Sequence, residues 1–373
     1  MKLQRRNSLF PIMAALALFA MMAAFYSCDN TFHVFDDIQT EVKQVGTDIF
    51  KNATVKALGD DGTNYYAAMA KAWYRPIAGG DWKVLPIAGD ADYESYSLVS
   101  DGSGAVYAVL TKSGSPAIYK GTAAGTTWTP LTLGSLDGLY LDELYFSNAT
   151  LFALAHSGTG NAIKYSLHHS DGTAAFATTT LTNLATPLIG IGHDGVNYLV
   201  ATSTKVYKAV AKTGPWTEDT PPGDKIFGGI AADHANDIHL STQDGYLYTW
   251  DGAAWSAVKT IKAKQILGML AEVETTPGSA VYRLLVAHAN NGYYEYDGVA
   301  AIEGDDSGTA FGPPTSAYTT TIYGKTVLAV HSSSVASGVD EILIGLASQG
   351  SSTGYALYSN KYVSGAWSGW SAE

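Results

Sequence analysis

An internal repeat dominates this sequence from about residue 52 to residue 373. Each copy contains a short apolar strand with an aromatic or β-branched residue near its start, at Tyr65, Tyr107, Phe152, Tyr198, Ile238, Tyr282 and Ile342. Five of the six intervals between these positions are 40 to 46 residues long, and the last is 60. A unit of this length cannot bury its apolar face alone, so neighbouring copies must pack against one another. The period is that of β-propeller blades, which are four-stranded sheets arranged around an axis.

A large aromatic residue recurs after a glycine-containing turn in most copies. These residues are Trp82, Trp128, Trp216, Trp255 and Trp367, with Phe176 at the equivalent place in the third copy. We expect them on outer strands, with each ring packed against an adjacent blade. Glycine interrupts the apolar runs 188–191, 227–230 and 266–269, as expected of innermost strands that crowd around an axis. The sequence therefore predicts an all-β fold, a β-propeller of seven blades with four antiparallel strands each.

The first 27 residues differ from the repeat region. Lys2, Arg5 and Arg6 precede the apolar run 9–25, which is the pattern of a secretory signal peptide. The chain has one cysteine, Cys28, at the point where the apolar run gives way to a polar, glycine-rich body. The segment 25–28, Phe-Tyr-Ser-Cys, resembles the lipobox of bacterial lipoproteins, in which small residues precede the cysteine.

The resemblance implies cleavage before Cys28 and attachment of a lipid to that residue. The protein would then be anchored to a membrane of the bacterial cell envelope and face outside the cytoplasm. The chain would comprise a signal peptide (1–27), a tether or added edge strand (28–51) and the propeller (52–373). One alternative stays open: the apolar run of 17 residues remains as an uncleaved anchor, although a spanning helix needs about 20 residues.

The charge of the exported part excludes nucleic acid as a partner. The chain has a formal net charge of −12, and setting aside the three basic side chains of residues 1–27 leaves −15. Binding to phosphates requires Lys and Arg, yet only Arg75 and Arg283 remain as arginines in residues 28–373. The segment 121–128 resembles a degenerate Asp-box turn of sialidase-like propellers. Two arginines cannot form the arginine triad of sialidases, so that activity is excluded.

The titratable residues form no recognisable catalytic or metal-binding motif. Neighbouring carboxylates such as Asp60 and Asp61 lie beside glycine, where aspartate closes turns through its own side chain. The nine histidines show no metal-binding spacing, and we expect His168 and His169 in a solvated turn. We therefore predict no cofactor, no metal and no enzymatic activity.

Polar residues near the turns that join second to third strands form the candidate ligand site, because these turns open on one face of a propeller. They are His156, Asn161, Gln243, Asp244, His288, Asn290, Asn291 and Gln349. We expect a monomeric scaffold that binds or assembles a protein or a glycan. Two alternatives stay open: a carbohydrate-active hydrolase or lyase that uses rim carboxylates, and a surface antigen without a defined ligand.

The lipid anchor predicts the behaviour of a Cys28→Ala variant. The wild-type protein should partition into detergent with a lipid on residue 28, whereas the variant should be released or remain unprocessed. Intact mass spectrometry of membrane-extracted protein measures both states. An unmodified thiol at position 28 of the wild-type protein would contradict the prediction.

Overall fold

The computed structural model describes residues 49–373 apart from 86, 88–92, 113–114, 123–126, 220, 222, 224, 261–266, 277–280, 289–291, 297–300, 304–321, 323–324, 336–338, 349–353 and 364. Within the described residues the chain forms β-strands and two short 3-10 helices, Gly134–Leu136 and Gly160–Ala162, but no α-helix. No helix among these residues has the length and apolarity needed to cross a membrane. Cys28 and the predicted signal peptide lie outside the described residues.

Four antiparallel strands make up each of the first four blades, and strand order in the sheet follows the chain. Blade 1 contains β1 (Ala57–Asp60), β2 (Asn64–Ala68), β3 (Ala72–Pro76) and β4 (Lys83–Val84). Blade 2 contains β5 (Tyr93–Ser100), β6 (Ala105–Lys112), β7 (Ser115–Thr122) and β8 (Trp128–Pro130). Blade 3 contains β9 (Tyr140–Ser147), β10 (Thr150–Ser157), β11 (Lys164–Ser170) and β12 (Ala177–Thr178). Blade 4 contains β13 (Leu188–His193), β14 (Tyr198–Thr202), β15 (Val206–Ala209) and β16 (Thr217–Asp219).

The remaining three blades repeat this order, and the last carries an additional short strand. Blade 5 contains β17 (Phe227–Ala232), β18 (Ile238–Thr242), β19 (Tyr246–Trp250) and β20 (Trp255–Thr260). Blade 6 contains β21 (Leu267–Thr276), β22 (Val281–His288), β23 (Gly292–Tyr296) and β24 (Ala301–Glu303). Blade 7 contains β25 (Val327–Val335), β26 (Val339–Leu346), β27 (Leu357–Val363) and β28 (Ala366–Trp367), and β29 (Ser371–Ala372) also pairs with β27. The predicted seven-bladed β-propeller is confirmed.

The repeat positions read from the sequence all lie on second strands, namely β2, β6, β10, β14, β18, β22 and β26. These strands are sandwiched between sheets on both faces, which is why their side chains are buried without interruption in β2, β14 and β18. The one long interval in the repeat reflects the connection 304–326 between blades 6 and 7. Each period of the sequence repeat therefore corresponds to one blade.

Apolar side chains of the described residues fill each of the seven contacts between neighbouring blades. The recurring aromatic residues lie on the outer strands or directly precede them, and each joins the cluster shared with the preceding blade. Trp128, for example, packs edge-on against Tyr66 of blade 1, with ring centroids 5.6 Å apart. The outer strand of blade 6, 301–303, has no aromatic residue. The predicted aromatic packing between blades is confirmed for the other six.

Glycine permits the innermost strands to approach one another. A Cβ atom at Gly190 would lie 2.7 Å from the carbonyl oxygen of Ile230, and one at Gly229 would lie 2.6 Å from that of Gly268. Both contacts join the first strand of one blade to the first strand of the next. A side chain at either position would force the backbones apart, so these glycines set the spacing of blades 4 to 6 around the axis.

The segment before β1 packs against blade 7 and so contributes to closing the ring. The backbone N–H of Ala356 donates to the carbonyl of Phe50 at 2.9 Å, and the N–H of Val55 donates to that of Leu346 at 3.1 Å. Phe50 and Val55 are fully buried, in the same cluster as Leu343 of β26. Hydrogen bonds and apolar contacts thus join residues at the two ends of the described chain.

A buried ion pair joins blades 1 and 7 at the same contact. Arg75 Nη2 on β3 donates to Glu341 Oε1 on β26 at 2.8 Å, and the two residues are 5% and 1% exposed. Arg75 Nη1 lies 3.3 Å from Glu373 Oε2, which also accepts the Trp82 Nε1–H bond at 2.9 Å. The guanidinium lies over the rings of Tyr65 and Trp82, 5.3 Å and 5.4 Å from their centroids. One arginine therefore satisfies two carboxylates and contacts two aromatic faces.

The other arginine of the described chain lies half-buried within blade 6. Arg283 Nη1 on β22 donates to Glu295 Oε2 on β23 at 2.9 Å. Glu295 is 0% exposed, and its Oε1 has no hydrogen-bond partner among the described residues. Burial raises the pKa of Glu295 to about 8, although Arg283 opposes the shift. Both arginines in the described residues are thus committed to pairs with glutamate inside the propeller.

Replacing Arg75 tests its role in ring closure. Arg75→Met leaves Glu341 buried with only Lys361, 3.8 Å away, so the free energy of unfolding should fall by about 3 kcal/mol in urea titrations. The double variant Arg75→Met, Glu341→Met should recover most of this loss, because no charge is left unpaired. Lys205→Met is the matched control: it breaks an ion pair with Glu218 whose side chains are 48% and 53% exposed, and should leave the free energy of unfolding close to the wild-type value. An equal fall in the free energy of unfolding in Arg75→Met and Lys205→Met would show that the buried pair does not stabilise the closed ring.

Glu295 predicts a pH dependence of stability. A pKa raised from 4.5 to about 8 in the folded state means that its stabilising contribution is complete below about pH 4.5 and is lost as pH rises towards 8. Glu295→Gln cannot ionise, so its free energy of unfolding relative to wild type should increase between about pH 5 and about pH 9. Urea titrations across this range measure the difference, with Glu218→Gln as the exposed control. Parallel profiles for wild type and Glu295→Gln would contradict the shift.

Candidate functional site

The first strands of blades 2 to 7 each carry a β-bulge near their start, where one residue or two oppose no partner on the second strand. Near the start of these strands the unpaired residues of blades 4 to 7 are apolar or glycine: Ile189, Gly228, Gly268, Met269 and Leu328. In blades 2 and 3 they are Tyr96 and Asp142. A bulge bends the strand and re-aims its side chain. Among these unpaired positions, the polar side chains are therefore those of blades 2 and 3.

We call the face with the second-to-third-strand turns and the inter-blade connections the upper face, and the opposite face the lower face. The bulges lie near the upper face, because first strands begin there. This placement follows from the antiparallel strand order within every blade.

Asp142 and His156 form a hydrogen-bonded pair at the upper face of blade 3. His156 lies near the end of β10, and its Nδ1 is 2.7 Å from Asp142 Oδ2 and 2.9 Å from Oδ1. The carboxylate accepts the Nδ1–H bond, so Nε2 is the acceptor of the neutral ring. Burial raises the pKa of the Asp142 carboxyl, while the hydrogen bond from His156 opposes this shift. The pair fixes the orientation of the imidazole.

Two tyrosines flank the imidazole. Tyr140 opens β9 opposite His156 in the strand register, and the two rings are stacked, with centroids 5.0 Å apart and an interplanar angle of 16°. Tyr165, on the third strand, lies on the other side of His156 with centroids 5.6 Å apart. Tyr140 is 53% exposed. We refer to Tyr140, Asp142, His156 and Tyr165 as the Tyr140 site.

A second carboxylate lies next to the Tyr140 site along β9. The Tyr145 hydroxyl donates to Glu143 Oε2 at 2.8 Å and lies 3.1 Å from the carbonyl oxygen of Leu188 in blade 4. Solvent reaches Glu143, but the surrounding protein desolvates it and raises its pKa, and the negative charge of Asp142 adds to the shift. Tyr96 of blade 2 donates to the carbonyl of Leu141 at 2.6 Å. Acceptor oxygens and aromatic rings thus share this part of the axial opening.

Four of the other residues predicted from the sequence lie on the upper face, but in different settings: Asn161, Gln243, Asp244 and His288. Asn161 is exposed in the 3-10 helix that follows β10, so it is on the same blade as His156. Gln243 is exposed in the turn after β18. Asp244 in that turn pairs with Lys225 and accepts a hydrogen bond from Thr242 Oγ1 at 2.6 Å. Asn290, Asn291 and Gln349 lie outside the described residues.

His288 ends a strand equivalent to that of His156 but has a different environment. Both residues lie at the upper end of a second strand, His288 opposite Leu267 of β21. His288 is only 5% exposed, and its ring packs edge-on against Tyr294, 5.6 Å away. The repeat therefore brings the two histidines to the same face, whereas only the imidazole of His156 is partly exposed there.

The expectation that His168 lies in a solvated turn is wrong. The residue is on β11, is 2% exposed, and is held between the hydroxyls of Ser135 and Ser166, each 2.8 Å from a ring nitrogen. Burial lowers the pKa of His168 to about 4, so the ring is neutral at physiological pH. The hydrophobic alternation around two consecutive histidines was too weak to reveal the strand.

The described residues contain no group of three His, Cys, Asp or Glu side chains placed to hold a metal ion. The aspartates beside glycine act as turn residues instead. Asp61 Oδ1 accepts hydrogen bonds from the backbone N–H groups of Thr63 and Asn64, at 2.9 Å and 2.7 Å. The same arrangement occurs at Asp194 and Asp251. These carboxylates stabilise hairpins and are not directed at a ligand.

Sequence reasoning found His156 but missed Tyr140, Asp142 and Tyr165. One signal was present: the third copy of the innermost strand begins Tyr-Leu-Asp-Glu, whereas the equivalent runs 188–191 and 227–230 consist of apolar residues and glycine. Charged and amphipathic residues in a strand that is apolar in other copies indicate a local function. The bulge that turns Asp142 towards His156 depends on strand pairing and has no such signal in the sequence.

The Tyr140 site can bind a ligand or exchange a proton with one. Its imidazole has one fixed nitrogen and one acceptor nitrogen, and the exposed ring beside it offers a flat surface for stacking. The neighbouring carboxylates supply hydrogen-bond acceptors and negative charge.

Comparison with known proteins supports the fold only. No family model and no curated protein matches the chain. Among solved structures it is similar to YCF48 bound to D1 peptide (TM-score 0.55, 11% identity, covering 84% of this chain and 93% of the other). It is also similar to virginiamycin B lyase from Staphylococcus aureus (TM-score 0.51, 11% identity, 80% and 93%) and to the computationally designed Ika8 protein (TM-score 0.51, 11% identity, 85% and 95%). A peptide-bound protein, a lyase and a designed protein thus share this fold, so the fold does not determine the function.

Proposed function

We propose that this protein is a scaffold of the bacterial cell envelope that binds or assembles a protein or glycan partner on its upper face, while a lipid on Cys28 anchors it to a membrane. The observation that carries the binding role is the Tyr140 site. It combines an exposed ring, a fixed imidazole and carboxylates at the axial opening, where propeller loops commonly bind ligands. The anchor rests on the signal-like leader and on Cys28.

Three further features support a binding role. The propeller is similar in fold to YCF48, whose structure contains a bound D1 peptide. Both arginines of the described chain are hydrogen-bonded to glutamates within the propeller, so aromatic, carboxylate and amide groups are the ones available to contact a partner. The exported part has an excess of negative charge, which favours neutral or basic partners over acidic ones.

A carbohydrate-active hydrolase or lyase is the second candidate, and the pair of Asp142 and His156 is the observation that favours it. Because the Asp142 carboxylate is hydrogen-bonded to Nδ1 of His156, the other ring nitrogen, Nε2, is available to accept a proton from a substrate. The similarity to virginiamycin B lyase is limited to the fold. Incubation with envelope polysaccharides distinguishes the candidates, since a hydrolase produces new reducing ends, a lyase produces unsaturated ends, and a scaffold produces neither.

Substitutions on opposite faces test the proposed binding face. Tyr140→Arg places a bulky cation on the upper face, and Val210→Arg places one on the lower face, where Val210 is 73% exposed between β15 and β16. Both positions are exposed, so both variants should fold. We expect affinity capture of the anchored protein from its native envelope, followed by mass spectrometry, to recover specific partners with wild type and Val210→Arg but not with Tyr140→Arg.

Two results would contradict the proposal. Recovery of the same partners with Tyr140→Arg would show that the binding surface is not on the upper face. Failure of the wild-type protein to retain any partner or glycan above the level of an unrelated anchored propeller would reject the scaffold role.

A further inference from the structure

Tyr140 differs from the other aromatic residues of the molecule in its exposure. Among the described residues it is the only exposed Phe, Tyr or Trp, since every other such side chain is buried or half-buried. Most of those pack between blades, where ring burial stabilises the fold. Tyr140 lies instead at the start of an innermost strand, next to the axis, and more than half of its surface is open. Packing within the blade does not account for this ring.

The stacking geometry leaves one face of Tyr140 available. The other face is covered by the His156 ring, which is held in turn by Asp142. Both links restrict the rotation of the tyrosine before a ligand arrives. A surface that is rigid before binding loses little conformational entropy on binding, so its contacts are reflected more fully in the affinity.

The chemistry of this surface matches a sugar ring. The face of an aromatic ring carries partial negative charge, and the C–H groups on one side of a pyranose carry partial positive charge, so the two stack. Sugar hydroxyls also need acceptors beside the ring, and Asp142, Glu143 and His156 Nε2 supply them. Asn161, in the turn after β10, offers both a donor and an acceptor on the same blade.

The charge of the site selects among sugars. Asp142 and Glu143 are consecutive residues whose carboxyl pKa values are both raised by desolvation. Another carboxylate or phosphate placed next to them would add like-charge repulsion. An amino group would be attracted to them and to the aromatic faces. Neutral and amino sugars therefore fit the site, and uronic acids do not.

We propose that the Tyr140 site binds one ring of a neutral or amino-sugar oligosaccharide, with the ring stacked on Tyr140 and its hydroxyls bonded to the adjacent carboxylates and imidazole. This inference rests on the proposed scaffold function, for which it names the ligand class. A protein partner on the same surface is an alternative that the test below resolves.

The lower face provides a matched control. Tyr282 stacks on His234 with ring centroids 4.0 Å apart and an interplanar angle of 22°, and His234 Nδ1 is 2.7 Å from Glu272 Oε1. A tyrosine, a histidine and a carboxylate thus form the same type of stack on this face, with glutamate in place of aspartate. There, however, the backbone N–H of His234 also donates to Glu272 Oε2 at 2.5 Å, and this hydrogen bond joins blades 5 and 6. Tyr282 is half-buried. That stack has a structural role.

The test is calorimetric titration of the complete propeller with neutral glucan and galactan oligosaccharides, chito-oligosaccharides with and without acetyl groups, and oligouronates. We expect binding of a neutral or amino series and none of the oligouronates. Tyr140→Ala should weaken binding by about tenfold or more, because loss of one stacking contact removes roughly 1.4 kcal/mol. Tyr140→Phe should remain within about threefold of wild type, because stacking does not need the hydroxyl. Tyr282→Ala should bind as wild type does.

The outcomes separate this inference from the function on which it rests. Preferential binding of oligouronates, or equal losses in Tyr140→Ala and Tyr282→Ala, would overturn the sugar assignment. Absence of sugar binding together with capture of a protein that depends on Tyr140 would overturn the assignment while the scaffold function stands. Absence of both a sugar and a captured partner would overturn both.

Discussion

Arg75 and Glu341 form a buried ion pair where the last blade joins the first, in the contact that closes the ring. Each of the other six contacts joins blades that are consecutive in sequence, so the chain itself keeps them near one another. Blades 1 and 7 have no such connection and must find each other across the whole repeat region, which carries a larger loop-closure entropy. A charged pair buried among aromatic rings adds specificity of partner and register to the apolar contact. The pairing of β27 with both β28 and β29 completes the blade at this contact.

The architecture was largely predictable because a propeller repeats its physical requirements. Every blade needs a second strand buried on both faces, so Tyr65, Phe152 and Ile342 recur at blade spacing. Every contact between blades needs apolar volume, so Trp128 and its equivalents recur on outer strands. What the sequence could not provide was the local pairing: the strand of His168, read as a solvated turn, depends on its hydrogen bonds to β10 and β12.

The candidate site was only partly predictable for a related reason. His156 could be placed on the upper face because it ends a recognisable second strand, and the repeat placed His288 similarly. Whether such a residue is accessible depends on its neighbours, and Tyr294 covers His288 while His156 remains partly open. Asp142 entered the site through a bulge whose position is set by strand register. Accessibility and register are properties of the assembled blades, and a single sequence does not encode them in a readable motif.

The bulges of the innermost strands leave one or two residues unpaired beside the axis in six of the seven blades. Several of these side chains still pack between blades, since Ile189, Met269 and Tyr96 border the apolar clusters there, whereas Asp142 is hydrogen-bonded to His156. Six blades offer such a position at the axis, and here four contain apolar residues or glycine and two contain Tyr96 and Asp142. Exchange at a position whose side chain stays out of those clusters, such as that of Asp142, would change the chemical groups near the axis while the blade keeps its packing, which makes that position a natural starting point for redesign.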